Sequence, residues 1–274
     1  MIKISLKIIL LLVLSYAAFV IAKVPADFFW HKANVPQQQA KLYDIAGTIY
    51  SGTAALLVTP QVTLNTISWE WQPSKLLAAD IGYRVQAHTD NGKVSAIASI
   101  PLSQLLTGAI NDASALQVRG SVPLADLPLP PIARSVPLDA DLLLNLDSLA
   151  ITDQFPSEAT GSIIIGNINF TMGDEITSLG TIFADISTQE SGEIVADLSS
   201  DGDFLDLAAE AKLQTDGRWS VEGSLVISDD LPPALFPIFG SAGKRQPDGS
   251  YLIAHNGQVP KPVIKTNPPQ VSTQ

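Results

Sequence analysis

From Ile81 onward the chain alternates apolar and polar residues with period two, the pattern of strands that cover one face. In Ile81-Gly82-Tyr83-Arg84-Val85-Gln86-Ala87-His88, the residues Ile81, Tyr83, Val85 and Ala87 share one side, and Arg84, Gln86 and His88 the other. Asp90-Asn91-Gly92 reads as a turn, after which Val94, Ala96, Ala98 and Ile100 alternate again. Asn-Gly offers the positive φ angles of a tight hairpin, so these two runs are predicted to pair. Leu138, Ala140, Leu142, Leu144 and Leu146 face one way, with Asp139, Asp141, Asn145 and Asp147 mostly on the other side. Further strands are predicted over 162–170, 178–186 and 193–198. A second hairpin runs from Leu205, Leu207, Ala209, Ala211 and Leu213 through Asp216-Gly217 to Trp219, Val221, Gly223, Leu225 and Ile227. Asp248-Gly249 opens a last strand through Tyr251 and Ile253. After residue 30, helical periodicity is confined to short stretches near 103–110 and 233–239. The expected fold class is all-β and antiparallel, preceded by one N-terminal helix.

That helix is predicted over 4–22, which is strongly apolar and carries no charge apart from Lys7; Ile4, Ile8, Leu11, Leu14, Phe19 and Ala22 are representative of it. A helix of this length spans about 28 Å, close to the roughly 30 Å of a bilayer's hydrocarbon core. Lys3 and Lys7 flank its start and no acid precedes Asp27, which orients the N-terminus to the cytoplasm and the remainder to the far side. Phe28, Phe29 and Trp30 suit the outer interface. A cleaved signal peptide is the competing reading, with Val20-Ile21-Ala22 as its cleavage site; against it, the run exceeds the usual apolar core of a signal peptide and Lys23 follows at once. Residues 1–23 are therefore read as cytoplasmic tip and transmembrane anchor, and 24–39 as a juxtamembrane segment. Pro123, Pro128, Pro130, Pro131 and Pro137 crowd one stretch, and proline cannot donate to a central ladder. This predicts a junction at 123–137 between a first β unit (40–122) and a second (138–257), which would form one extended curved sheet or a sandwich. The tail, 258–274, is rich in proline and polar residues and is expected to be disordered.

Composition narrows the function classes. Of 274 residues 46% are hydrophobic and 16% charged, which is the balance of a folded chain. A net charge of −11 repels phosphate backbones, so nucleic acid is not an expected partner. Cysteine is absent, and His31, His88 and His255 are far apart in sequence, which argues against thiolate or histidine metal sites. There is no Gly-x-Ser-x-Gly elbow and no phosphate-cradling glycine loop. Asp201-Gly202-Asp203 and Asp206 lack the ligand spacing of a calcium loop, and Asp229-Asp230 reads as a solvated turn. No cofactor, metal or catalytic residue is expected. Trp69 and Trp71, two apart, project from one side of a strand. They either pack in the core or, with Tyr50, form an aromatic surface that docks a partner. Gly47 and Gly52 are expected to permit a bulge or close backbone approach.

One ordered set of residues is distinctive. Leu42-Tyr43-Asp44-Ile45-Ala46-Gly47-Thr48-Ile49-Tyr50-Ser51-Gly52-Thr53-Ala54 is followed by Ser68-Trp69-Glu70-Trp71-Gln72-Pro73 and Leu76-Leu77. Pro137-Leu138-Asp139, the Asp216-Gly217-Arg218-Trp219 hairpin and the 231–240 segment come after them in order. Together, behind a single apolar span, these resemble the protein N family of the bacterial type II secretion system. The resemblance implies a bitopic accessory of the export machinery in the bacterial inner membrane, with a periplasmic β-rich region and other secretion components as partners. It transfers no catalytic residue. A looser likeness to periplasmic β-rich lipid-transfer proteins keeps a second reading open, in which the apolar side of a curved sheet binds a lipid or other hydrophobic ligand.

Overall fold

The structure is a computed structural model, and it describes residues 23–32, 41–58, 63–107, 112–127, 137–152, 155–172, 175–233, 235–236 and 243–259. The segment 4–22, with Ile4, Ile8, Leu11, Leu14, Phe19 and Ala22, lies outside the described residues, as do 128–136 and the tail from 260. Among the described residues no helix is long and apolar enough to cross a membrane.

A short helix, α1 (Ala26–Lys32), leads into fifteen strands: β1 (Lys41–Tyr43), β2 (Ala46–Gly47), β3 (Ser51–Val58), β4 (Thr63–Gln72), β5 (Asp80–His88), β6 (Lys93–Pro101), β7 (Asp112–Pro123), β8 (Leu138–Thr152), β9 (Phe155–Met172), β10 (Glu175–Thr188), β11 (Ile194–Asp201), β12 (Leu205–Leu213), β13 (Arg218–Ile227), β14 (Lys244–Arg245) and β15 (Tyr251–Gln258). A second short helix, α2 (Leu102–Thr107), overlaps the first predicted helical stretch. The other predicted stretch, 233–239, lies mostly outside the described residues. Among the described residues all strands belong to one antiparallel sheet in nearly sequential order, with β2 beside β1 on the outer side of β3, and β15 between β13 and β14. The fold is therefore all-β in one sheet. The ladder continues from β7 to β8, from Asp112 opposite Thr152 to Pro123 opposite Asp141, so the strands flanking 123–137 share it.

Alternation located the hairpins correctly. Tyr83 lies opposite Ala98, Val85 opposite Ala96 and Ala87 opposite Val94, while Leu213 faces Trp219 and Leu207 faces Leu225. Gly217 and Gly249 adopt φ of +86° and +90° in their turns. β7 escaped the pattern because Ala113, Ala115 and Gly120 are weakly apolar and Gln117, at φ +53°, interrupts the alternation.

The turn between β5 and β6 differs from the expected Asn-Gly geometry. Neither Asn91 nor Gly92 has a positive φ. Instead the Thr89 hydroxyl accepts from the Gly92 N–H at 2.8 Å and donates to the Asp126 carboxylate at 2.7 Å, and the Asn91 N–H donates to that carboxylate at 3.0 Å. A residue 35 positions away thus braces a turn that Thr89 and Gly92 close locally. These two donors, the hydroxyl first, hold the Asp126 carboxyl below its ordinary value. A depressed folded-state value means that this contribution to stability is complete above about pH 4 and is lost as pH falls through the lowered value. Asp126→Asn keeps an acceptor without the charge. It is expected to destabilise the protein at pH 7, with the gap to wild type closing in acid, as read from urea unfolding across a pH series.

Several long strands are bent. Thr66, Gln117 and Asn167 have φ of 52–53° and sit at register shifts, where an extra residue raises local twist. Residues of β10 and β12, two ladder positions apart, come within 8 Å Cα to Cα. A flat sheet would hold them about 9.6 Å apart, so the sheet curls here. On its apolar face Ala140, Ile168, Phe170, Leu179, Leu205, Leu225 and Ile253 form one core with Leu231 and Leu235, which follow β13. A lone sheet needs its apolar face covered; here curvature and this following segment cover it.

Candidate functional site

The other concentration of apolar side chains lies near the N-terminal edge. β4, β5 and β6 present Ile67 and Trp69, Tyr83 and Val85, and Ala98 on one face, as their registers require. The chain before β3 closes over this face. Pro25 bridges Thr48 in antiparallel fashion, so α1 is tied to the connection between β2 and β3. Ala26 and Trp30, four apart and hence on the same side of the helix, join Leu42, Ile45 and Ile49 as the opposite wall. Together these residues line an apolar cleft of about 450 Å³.

Trp69 is fixed by two interactions. Its indole N–H donates to the Thr48 carbonyl at 3.0 Å, and its ring lies on Gly52, the residue opposite it in the ladder. A Cβ at Gly52 would stand 2.4 Å from Trp69 Cζ2 and 2.5 Å from the Ala46 carbonyl oxygen. Close approach is therefore the role of Gly52. Gly47, at φ +91°, has a turn role: it permits the backbone to reverse between β2 and β3. The same pairing recurs at the other end of the sheet, where the Trp219 ring covers Gly257.

Trp71 and Tyr50 meet edge to face, with ring centroids 5.2 Å apart and planes inclined at 63°. Tyr83, opposite Trp71, has its hydroxyl pushed above the ordinary tyrosine value, first by burial and then by Tyr50. Tyr50, Trp69, Trp71 and Tyr83 are all half-buried. The two tryptophans are thus neither sealed in the core nor fully displayed: Trp69 lines the cleft, and Trp71 packs on Tyr50. The 3-10 turn Pro73–Ala78 beyond β4 exposes Leu76 and, at 94%, Leu77.

The polar candidates do not converge. His88 is half-buried with a ring nitrogen 3.3 Å from the Thr66 carbonyl oxygen, and His255 is exposed on β15. Among the described residues no three histidine, aspartate or glutamate side chains are grouped to hold a metal. Alternation had already placed Tyr83, Val85 and Ala98 on apolar faces. Leu42, Ile45, Ile49, Ala26 and Trp30 were not foreseen in the cleft, because they lie in short, aperiodic elements that only the tertiary fold brings over the sheet.

The family model described as type II secretion system (T2SS), protein N, matches residues 38–254. No curated protein and no solved structure matches.

Proposed function

Because the chain belongs to the type II secretion system protein N family, we propose that it is a non-catalytic accessory of that export machinery. It is held at the bacterial inner membrane by residues 4–22, with the sheet on the periplasmic side. The observation that carries the export role is the family match over 38–254. Support for the placement comes from the apolar run, the lysines before it and the absence of any acid before Asp27. The sheet acts by contact with other secretion components. The aromatic group of Tyr50, Trp69 and Trp71 and the protruding Leu77 mark the end of the sheet where such contact is made, since aromatic anchors dominate protein interfaces.

Deletion of the gene is expected to reduce export of folded periplasmic proteins, measured as their ratio in medium to periplasm. Normal export in the deletion strain would refute the proposal. Carbonate washing is expected to leave the full chain in the membrane pellet, and protease added after opening the outer membrane is expected to reach the sheet. Release into the supernatant would mean that the first segment is cleaved. Site-directed cross-linking from Tyr50 and Trp71 identifies the component contacted. The second reading, binding of a lipid or other hydrophobic ligand, is favoured by one observation, the apolar cleft.

A further inference from the structure

We propose that the cleft between α1 and strands β4–β6 holds one acyl chain of a bilayer phospholipid, whose headgroup stays outside. The lining residues are aliphatic or aromatic, and none is charged. A polar ligand would lose its hydration there without replacement, whereas each methylene that enters leaves water. About 450 Å³ is of the order of one acyl chain and too little for a whole phospholipid.

The source follows from how close the cleft lies in sequence to the apolar run. The apolar run ends at Ala22, and Ala26, which lines the cleft, is four residues later. Four residues reach at most about 14 Å, so the cleft wall stands within that distance of the end of the run. The inference rests on the anchor reading above: with 4–22 in the bilayer, phospholipid chains are the apolar molecules in reach. Charge favours the same source over a free fatty acid, because a protein of net charge −11 repels a carboxylate but not a zwitterionic headgroup.

The test uses the full chain reconstituted in phosphatidylethanolamine vesicles that contain a trace of phosphatidylethanolamine with a photoactivatable diazirine on its acyl chain. After illumination, labelled peptides are mapped by mass spectrometry. Label is expected both in 4–22 and in peptides carrying Ile67, Trp69, Val85 or Ala98. Ala98→Trp, which fills the cleft, is expected to cut cleft label about tenfold and leave label in 4–22 unchanged. Ala98→Leu, a smaller intrusion, should cut it less, and Val226→Trp on the exposed side of β13 should not change it. Label in 4–22 without label in the cleft overturns the acyl-chain site and leaves the anchor standing; a second copy or a partner segment seated in the cleft gives this result. Label in the cleft without label in 4–22 supports the site and overturns the anchor. Label in neither overturns both, and cleft label unaffected by both Ala98 variants overturns the site.

Discussion

Leu235→Ala is expected to lower the free energy of unfolding by about 2–5 kcal/mol, the range for emptying a sealed leucine site. Leu235 is 0% exposed and Leu231 1%. Both lie beyond the last residue of β13, and local turns position them: the Leu231 N–H donates to the Ser228 carbonyl at 3.1 Å, and the Leu235 N–H to the Pro232 carbonyl at 2.9 Å. The cost is high because a single sheet has no opposing layer to collapse into the vacancy. The side chains that share the core with Leu235 come from β8, β9, β10, β12, β13 and β15, whose spacing the ladder holds. Urea unfolding followed by tryptophan fluorescence measures the loss. Leu77→Ala is the reference, since a residue 94% exposed should change stability by less than about 0.5 kcal/mol. Equal effects of the two substitutions would show that the segment after β13 does not cover the core.

Gly52→Val is expected to cost about 1–3 kcal/mol by overpacking and also to abolish acyl-chain labelling of the cleft. The added Cβ meets the Trp69 ring at 2.4 Å and the Ala46 carbonyl oxygen at 2.5 Å. The ring can retreat only by giving up its hydrogen bond to Thr48, and the carbonyl only by pulling β2 away from β3. Either movement displaces a wall of the cleft. Gly257→Val separates the two effects. Its Cβ would lie 2.7 Å from the Trp219 ring at the far end of the sheet, so it should lose similar stability and keep the label. Gly166→Ala, with nothing within 4 Å of the new methyl, should be neutral or slightly stabilising. If Gly52→Val and Gly257→Val reduced labelling alike, the loss would reflect general unfolding and not the cleft.

Period-two alternation was sufficient to establish an antiparallel all-β chain and to set the facing residues of its two clearest hairpins, because a strand with one covered face writes that face into every second residue. The ordered motifs from Leu42 through the 231–240 segment, taken together behind the apolar run, were likewise enough for the family. Alternation left open whether the strands form one extended curved sheet or a sandwich, and the structure shows one sheet. The register shifts at Thr66, Gln117 and Asn167 fall on residues ordinary in composition, whose left-handed backbone no local sequence signal announces. Nor did alternation reveal the role of Asp126 at a turn 35 residues away, or the seating of Leu231 and Leu235. The cleft divides along the same line. Its floor of Trp69, Tyr83, Val85 and Ala98 follows from local periodicity, which any short stretch of chain displays. Its opposite wall of Ala26, Trp30, Leu42, Ile45 and Ile49 exists only once Pro25 meets Thr48 and β2 closes on β3. Contacts between segments this far apart carry no periodic signature, so tertiary structure alone decided that this floor is walled into a cleft.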